Sequence, residues 1–217
     1  MDEAPSEPAA PASGADVAVA SGTPAEAGAT SRPLGWLVEL AKTLALTLVI
    51  FFAVQTFIAQ PFQVEMESMQ QTLQSGQYVL VDKLTPRFGP YHRGDIVVFR
   101  PPATVGRDAP FIKRVIGVPG DTVTMDEAGR VSVNGVALDE PYVFIDHGAT
   151  VPVPDEHSWT VGDDQLFVLG DHRNRSDDSR VFGVIPVDRV VGRAFISYWP
   201  PPDIGILRTP IYPSLDG

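Results

Sequence analysis

Phe111-Ile112-Lys113-Arg114-Val115-Ile116-Gly117-Val118 is an apolar run interrupted by two adjacent cations. Its β-branched and aromatic content reads as strand. Alternate strand residues share a face, so Phe111, Lys113 and Val115 point one way while Ile112, Arg114 and Ile116 point the other. Lys113 therefore has an apolar neighbour on each side along its own face. Desolvation disfavours an ammonium, and burial lowers a lysine pKa by up to about 3–5 units. A free lysine, near 10.4, is no base at neutral pH; one lowered this far is. An edge-strand lysine whose ammonium reaches water fits the same pattern. The run fixes a β reading and leaves its chemistry open.

Around it the chain repeats the same texture. Residues 77–82, 95–100, 121–125, 130–133 and 165–169 are short, β-rich runs punctuated by Gly and Pro. Asn134-Gly135, between Val133 and Val136, is a type I′ hairpin signal. Residues 139–164 hold few strand-like runs and carry Pro141, Pro152 and Pro154, which reads as an excursion or lid-like loop. No long 3.6-residue periodicity supports helices in this half.

The N-terminal part differs. Residues 1–33 are rich in Ala, Pro, Gly, Ser and acids, too poor in apolar groups to offset the entropy of ordering, and read as a disordered tail. Five of its acids precede the first basic residue, Arg32, and contribute to a formal net charge of -11. An acidic chain of pI near 4.6 argues against nucleic-acid binding. With no cysteine, disulfides, thiolate zinc sites and cysteine nucleophiles are excluded.

Residues 34–59 are strongly apolar, and the 17 residues from Thr43 to Ala59 are uncharged. That is near the short end of what spans a bilayer, and Trp36 to Ala41 lengthen it. Glu39 and Lys42 are spaced to pair at headgroup level. A buried core helix and a cleaved signal peptide compete with this reading. Against the latter stand a long acidic n-region and Phe57, not a small residue, at the third position before a cut after Ala59. An uncleaved anchor is preferred. Arg32 and Lys42 flank its N-terminal side while Gln60 to Tyr78 carries only acids, so the tail is expected in the cytoplasm and residues 60–217 outside.

Ser68 lies nine residues beyond that span, among Val64, Met66 and Met69. It suits a solvated serine or an N-cap as well as a nucleophile. Phe62, Val64 and Met66 alternate, as in a strand with one apolar face, open to ordinary core or to the bilayer surface. A serine nucleophile with a deprotonated lysine as base is a known chemical pairing. A third cluster, Gly170-Asp-His-Arg-Asn-Arg-Ser-Asp-Asp-Ser-Arg180, follows an apolar run and is dense in groups able to pair. Asp171-His172 near a serine raises a Ser-His-Asp triad as a rival. Asp146-His147 and Asp155-Glu156-His157 show no metal-ligand spacing, and no metal or cofactor is expected.

In order, Ser68-Met69-x-x-Thr72-Leu73, Arg93-Gly-Asp-Ile-Val-Val-Phe99, Phe111 to Asp121 and Gly170-Asp-x-Arg…Ser176-x-Asp-Ser-Arg180…Gly183 resemble the motifs of bacterial type I signal peptidases, over roughly residues 62–200. The resemblance implies a mainly β catalytic domain outside the cytoplasmic membrane, held by one N-terminal transmembrane helix. It implies a serine endopeptidase that cuts exported preproteins after small-x-small motifs. It further implies Ser68 as nucleophile, Lys113 as general base, Ser176 and Asp178 orienting the lysine, and Asp171, Arg114 and Arg180 in supporting ion pairs. The expected partners are signal-peptide-bearing preproteins and membrane lipid, with no obligate partner subunit.

The chain departs from that pattern at four positions. Glu65 and Met66 stand where the family carries proline and a hydroxyl residue, Gln71 replaces a proline, and His172 replaces an asparagine. Met66 cannot donate a hydrogen bond, which leaves the Ser68 backbone N–H as the oxyanion donor. Losing one such donor costs about 10²–10³ in turnover. The rival readings are a self-cleaving repressor-type Ser-Lys protease, which needs a DNA-binding domain, and a catalytically weak or silent membrane-tethered β domain that binds peptides.

Overall fold

The computed structural model describes residues 33–215, so the tail read as disordered lies outside the described residues apart from Pro33. Helix α1 (Pro33–Phe57) opens on a proline, whose fixed φ suits a helix's first turn. Its stretch Gly35–Phe57, with a mean hydropathy of 2.1, is long and apolar enough to cross a membrane. Leu44, Val49 and Phe52 stay exposed on it, an arrangement that water disfavours. Lys42 and Glu39 pair at 3.0 Å.

The remainder is mainly β. The strands are β1 (Ala59–Gln63), β2 (Tyr78–Asp82), β3 (Ile96–Phe99), β4 (Phe111–Gly117), β5 (Thr122–Met125), β6 (Val131–Val133), β7 (Val136–Ala137), β8 (Ser158–Thr160), β9 (Gln165–Leu169), β10 (Ile185–Pro186), β11 (Val190–Trp199) and β12 (Gly205–Ile206). One sheet runs β1-β2-β11-β3-β4-β9-β10, with β12 added beside β11; the other runs β7-β6-β5-β8. All their pairings are antiparallel. Two single-turn α-helices, α2 (Thr85–Phe88) and α3 (Ser179–Phe182), and short 3-10 turns lie among the strands.

Strand propensity and turn chemistry account for much of this. The Asn134-Gly135 turn has positive φ at both positions (51° and 81°), as a type I′ turn demands, and it joins β6 to β7. Strand β5 buries alternate residues, the mark of one covered face. Strand β4 instead lies between β3 and β9 and is buried on both faces, cations included.

The longest strand, β11, escapes a sequence reading. Register shifts between Ala194 and Ile196 and between Ser197 and Trp199 break its period-2 pattern. Gly192 interrupts it too, because a Cβ there would strike the Asp82 carbonyl oxygen of the neighbouring strand. The alternating Phe62, Val64 and Met66 do not form one continuous strand. Strand β1 ends at Gln63, and Val64 exchanges backbone bonds with Gln77 and Gly76 and sinks into the core with Leu73, Val79 and Val98. The chain then tightens into a 3-10 turn at Glu67–Met69.

Candidate active site

Ser68 sits in the middle of that 3-10 turn and is 1% exposed. Its hydroxyl therefore does not point to solvent, and the turn has no side-chain cap bond. Lys113, on β4, is equally buried. Opposite it on β3 is Val97, and Phe111 and Val115 lie on either side along the strand, all three buried. The Lys113 Nζ and the Ser68 Oγ are 2.6 Å apart, a hydrogen bond, and Nζ also donates to the Ile112 carbonyl at 3.1 Å. The Phe111 ring centroid is 5.0 Å from Nζ.

This setting changes the lysine's acidity. Burial lowers its pKa from 10.5 to about 8, against the opposing fields of Asp178, Asp177 and Asp171. A neutral amine then forms near physiological pH, bonded to a hydroxyl whose proton it can take.

Both side chains line a cleft of about 260 Å³, whose apolar wall includes Phe62, Val64, Met66, Val98 and Ile112. A cleft so lined is suited to apolar groups of a ligand. Met66 is half-buried at its wall, and its sulfur lies 3.8 Å from Arg107 Nη1.

Strand β9 pairs with β4 so that Leu169 lies opposite Arg114, and the chain leaves β9 beside the cation-bearing strand. The next residue must be glycine. A Cβ on Gly170 would fall 2.6 Å from the Ser68 carbonyl oxygen and would collide with Ser176. Next, Asp171 forms a buried two-armed ion pair with Arg114 (2.9 and 2.6 Å) and accepts the hydroxyl of half-buried Thr72 at 2.5 Å. Arg114 also donates to the Gly94 carbonyl at 2.9 Å and lies over the Tyr142 ring. Breaking a buried pair of this kind from one side costs about 3–5 kcal/mol.

Residues 37–199 match the family model described as "Signal peptidase, peptidase S26". The chain belongs to this signal peptidase family. A probable signal peptidase I-2 of Synechocystis sp. is 40% identical over 176 residues, covering 79% of this chain and 77% of the relative. A signal peptidase I of Leptolyngbya laminosa is 37% identical over 198 residues, covering 87% and 93%. A signal peptidase IB of Staphylococcus aureus is 33% identical over 177 residues, covering 76% and 90%.

Within this family member the residues expected to orient the lysine behave differently from one another. Asp178 is bound to Arg180 through both oxygens (2.8 and 2.7 Å), caps α3 and accepts the Gly170 N–H at 3.0 Å. Its hold on Lys113 is through space, as the largest charge opposing deprotonation. Ser176 Oγ is buried without a hydrogen-bond partner, so the structure brings it to Gly170 and not into a bond with Lys113. Arg180 also fastens the excursion, donating to the Pro152 carbonyl at 3.1 Å.

Glu140 and Phe144 carry no local sequence signal. Glu140 makes a two-armed pair with buried Arg173, 2.5 and 3.1 Å. Phe144 exchanges backbone bonds with Asp171 and Arg173 (2.8 and 3.0 Å). His172 is fully buried against the main chain of Glu67 and Ser68. The ring bonds to the Glu67 carbonyl, and Lys113 is the bonded partner of the Ser68 hydroxyl. Counting charges offers one clue. Residues 171–180 hold three arginine or histidine side chains (His172, Arg173 and Arg175) outside the Asp171 and Asp178 pairs, and acids of the excursion, Glu140 and Asp146, stand beside them.

Proposed function

We propose that this chain is a membrane-anchored serine endopeptidase that removes N-terminal signal peptides from exported preproteins. The observation that carries this reading is the 2.6 Å hydrogen bond between Ser68 Oγ and a lysine whose pKa burial has lowered to about 8. Family membership and the relatives named signal peptidase I support the substrate class.

The substrate's cleavage region lies extended in the cleft and presents small side chains, in a small-x-small motif, to its apolar wall. Neutral Lys113 accepts the Ser68 proton as Oγ attacks the scissile carbonyl carbon. The Ser68 main-chain N–H donates to the developing oxyanion. Lys113, now an ammonium, returns the proton to the leaving amine, which departs as the new N-terminus of the mature protein. Water then attacks the acyl ester with Lys113 again as base, freeing Ser68 and the signal peptide's carboxylate.

In this reading α1 spans the cytoplasmic membrane with residues 1–33 in the cytoplasm and residues 60–217 outside. The anchor keeps the cleft where preproteins emerge, with no obligate partner subunit. The test is cleavage of a detergent-solubilised preprotein by wild type, Ser68→Ala and Lys113→Ala, with product mass read directly. Release of the mature chain by wild type alone is expected. Equal cleavage by all three sinks the dyad, and an inert wild type favours a tethered peptide-binding domain.

A further inference from the structure

His172 is a buried titratable side chain in contact with the Glu67–Met69 turn. Its main-chain N–H donates to the Ser68 carbonyl at 3.0 Å. Its ring Nδ1 lies 3.2 Å from the Glu67 carbonyl oxygen. A carbonyl only accepts, so Nδ1 carries the hydrogen of that bond. One residue thereby grips two successive carbonyls of the Glu67–Met69 turn.

The ring itself is held from behind. The Phe144 ring packs edge-on against it, with centroids 4.8 Å apart. Asp146 Oδ1 stands 3.3 Å from Nε2, an ion-pair distance when the ring is protonated, and is not aligned as a hydrogen bond. Asp146 is fixed in turn by Asn174 Nδ2 at 3.0 Å and Arg175 Nε at 2.6 Å. Arg175 closes the circuit with a 2.9 Å bond to the Glu67 carboxylate. Arg175 and Glu67 are each 55% exposed, so that outer pair contributes little by itself. The buried imidazole is the member with leverage.

We propose that His172 is a positioning residue for the reaction: its Nδ1–H bond to the Glu67 carbonyl fixes the rotation of the turn that aims Ser68 Oγ, and Asp146 and Phe144 keep the ring in that orientation. The inference rests on Ser68 being the nucleophile. A small misplacement of a reacting atom can cost about 10²-fold in rate, and the Ser68–Lys113 bond leaves no slack at 2.6 Å.

Amide geometry separates this role from simple packing. An asparagine amide can occupy the place of Nδ1, whereas the longer glutamine amide reaches only the place of Nε2. The experiment measures kcat, KM and melting temperature for wild type, His172→Asn, His172→Gln and Ser68→Ala on a preprotein substrate. The expected result is that His172→Gln has a kcat about tenfold below His172→Asn, with similar KM and similar melting temperatures. Equal kcat values for the two variants overturn the proposal, as does a difference in KM alone or one that tracks melting temperature. If His172→Gln does not fold, Asp146→Ala replaces it. A severalfold lower kcat at unchanged KM supports the clamp, and an unchanged kcat overturns it. Loss of activity in Ser68→Ala shows that the nucleophile assignment stands whichever way His172 behaves, whereas an active Ser68→Ala overturns that assignment and the positioning role with it.

Discussion

Asp178 is bonded to Arg180 and not to Lys113, yet it is the strongest of the charges that keep Lys113 protonated. Arg180 acts on the lysine in the opposite sense. The pair therefore partly cancels at Lys113, with the carboxylate ahead.

Asp178→Asn removes the charge that raises the Lys113 pKa and unmasks Arg180, which lowers it. Both effects favour the neutral amine. The pH profile of kcat/KM for Asp178→Asn is expected to move toward acid relative to wild type. A profile shifted toward alkali would refute the electrostatic assignment. The variant also leaves a buried guanidinium half-paired, so a stability loss of about 3–5 kcal/mol should appear in denaturant melts.

Wild-type activity should rise with pH and level off above about 8, where Lys113 loses its proton. Below that value, each pH unit should lower kcat/KM about tenfold. Measurement across pH 6 to 10 with a peptide substrate checks it, and a flat profile counts against Lys113 as the base.

The same shift has a thermodynamic face. Between about 8 and 10.5 the unfolded chain holds the lysine proton and the folded chain does not, so stability from this group rises with pH across that window. Below it, the buried ammonium costs roughly 3 kcal/mol. Lys113→Met should therefore abolish cleavage while raising the melting temperature at pH 7. The gain should shrink at pH 10, and a less stable variant at pH 7 contradicts the assignment.

Gly170→Ala places a Cβ against the Ser68 carbonyl and Ser176. Either the Ser68 turn or the third motif must retreat. A loss of about 10²-fold in kcat is expected, with KM changed far less. Near-normal turnover would show that the two segments are not in the close register described.

Met66→Ser restores a hydroxyl near the Ser68 amide. If the oxyanion hole has one donor only, turnover should rise, by up to about 10²-fold. An unchanged or lower rate means that another group already fills the role.

Much of this fold was legible because the physics is local. Strands β2, β3, β4, β5, β6 and β9 declare themselves by β-branched and aromatic content, and Asn134-Gly135 by its need for positive φ. Strand β11 was not, because bulges and Gly192 respond to neighbours 100 residues away in sequence. In the site, Ser68, Lys113 and the third motif stood out through their order along the chain. Glu140, Phe144 and Asp146 did not, since their roles exist only once residues 139–157 fold back onto Asp171, His172 and Arg173. Likewise, the Ser176 side chain could be placed near the centre by motif, but its missing hydrogen bond is a property of packing.

The segment between β7 and β8 is riveted to the third motif at Glu140, Phe144, Asp146 and Pro152. A stretch fastened at four points cannot swing aside while the rest stands still. Its amides and those of residues 170–175 are expected to exchange with solvent as one cooperative unit. Opening of that unit would take the backing of the Ser68 turn with it, so loss of activity and local unfolding are expected to coincide.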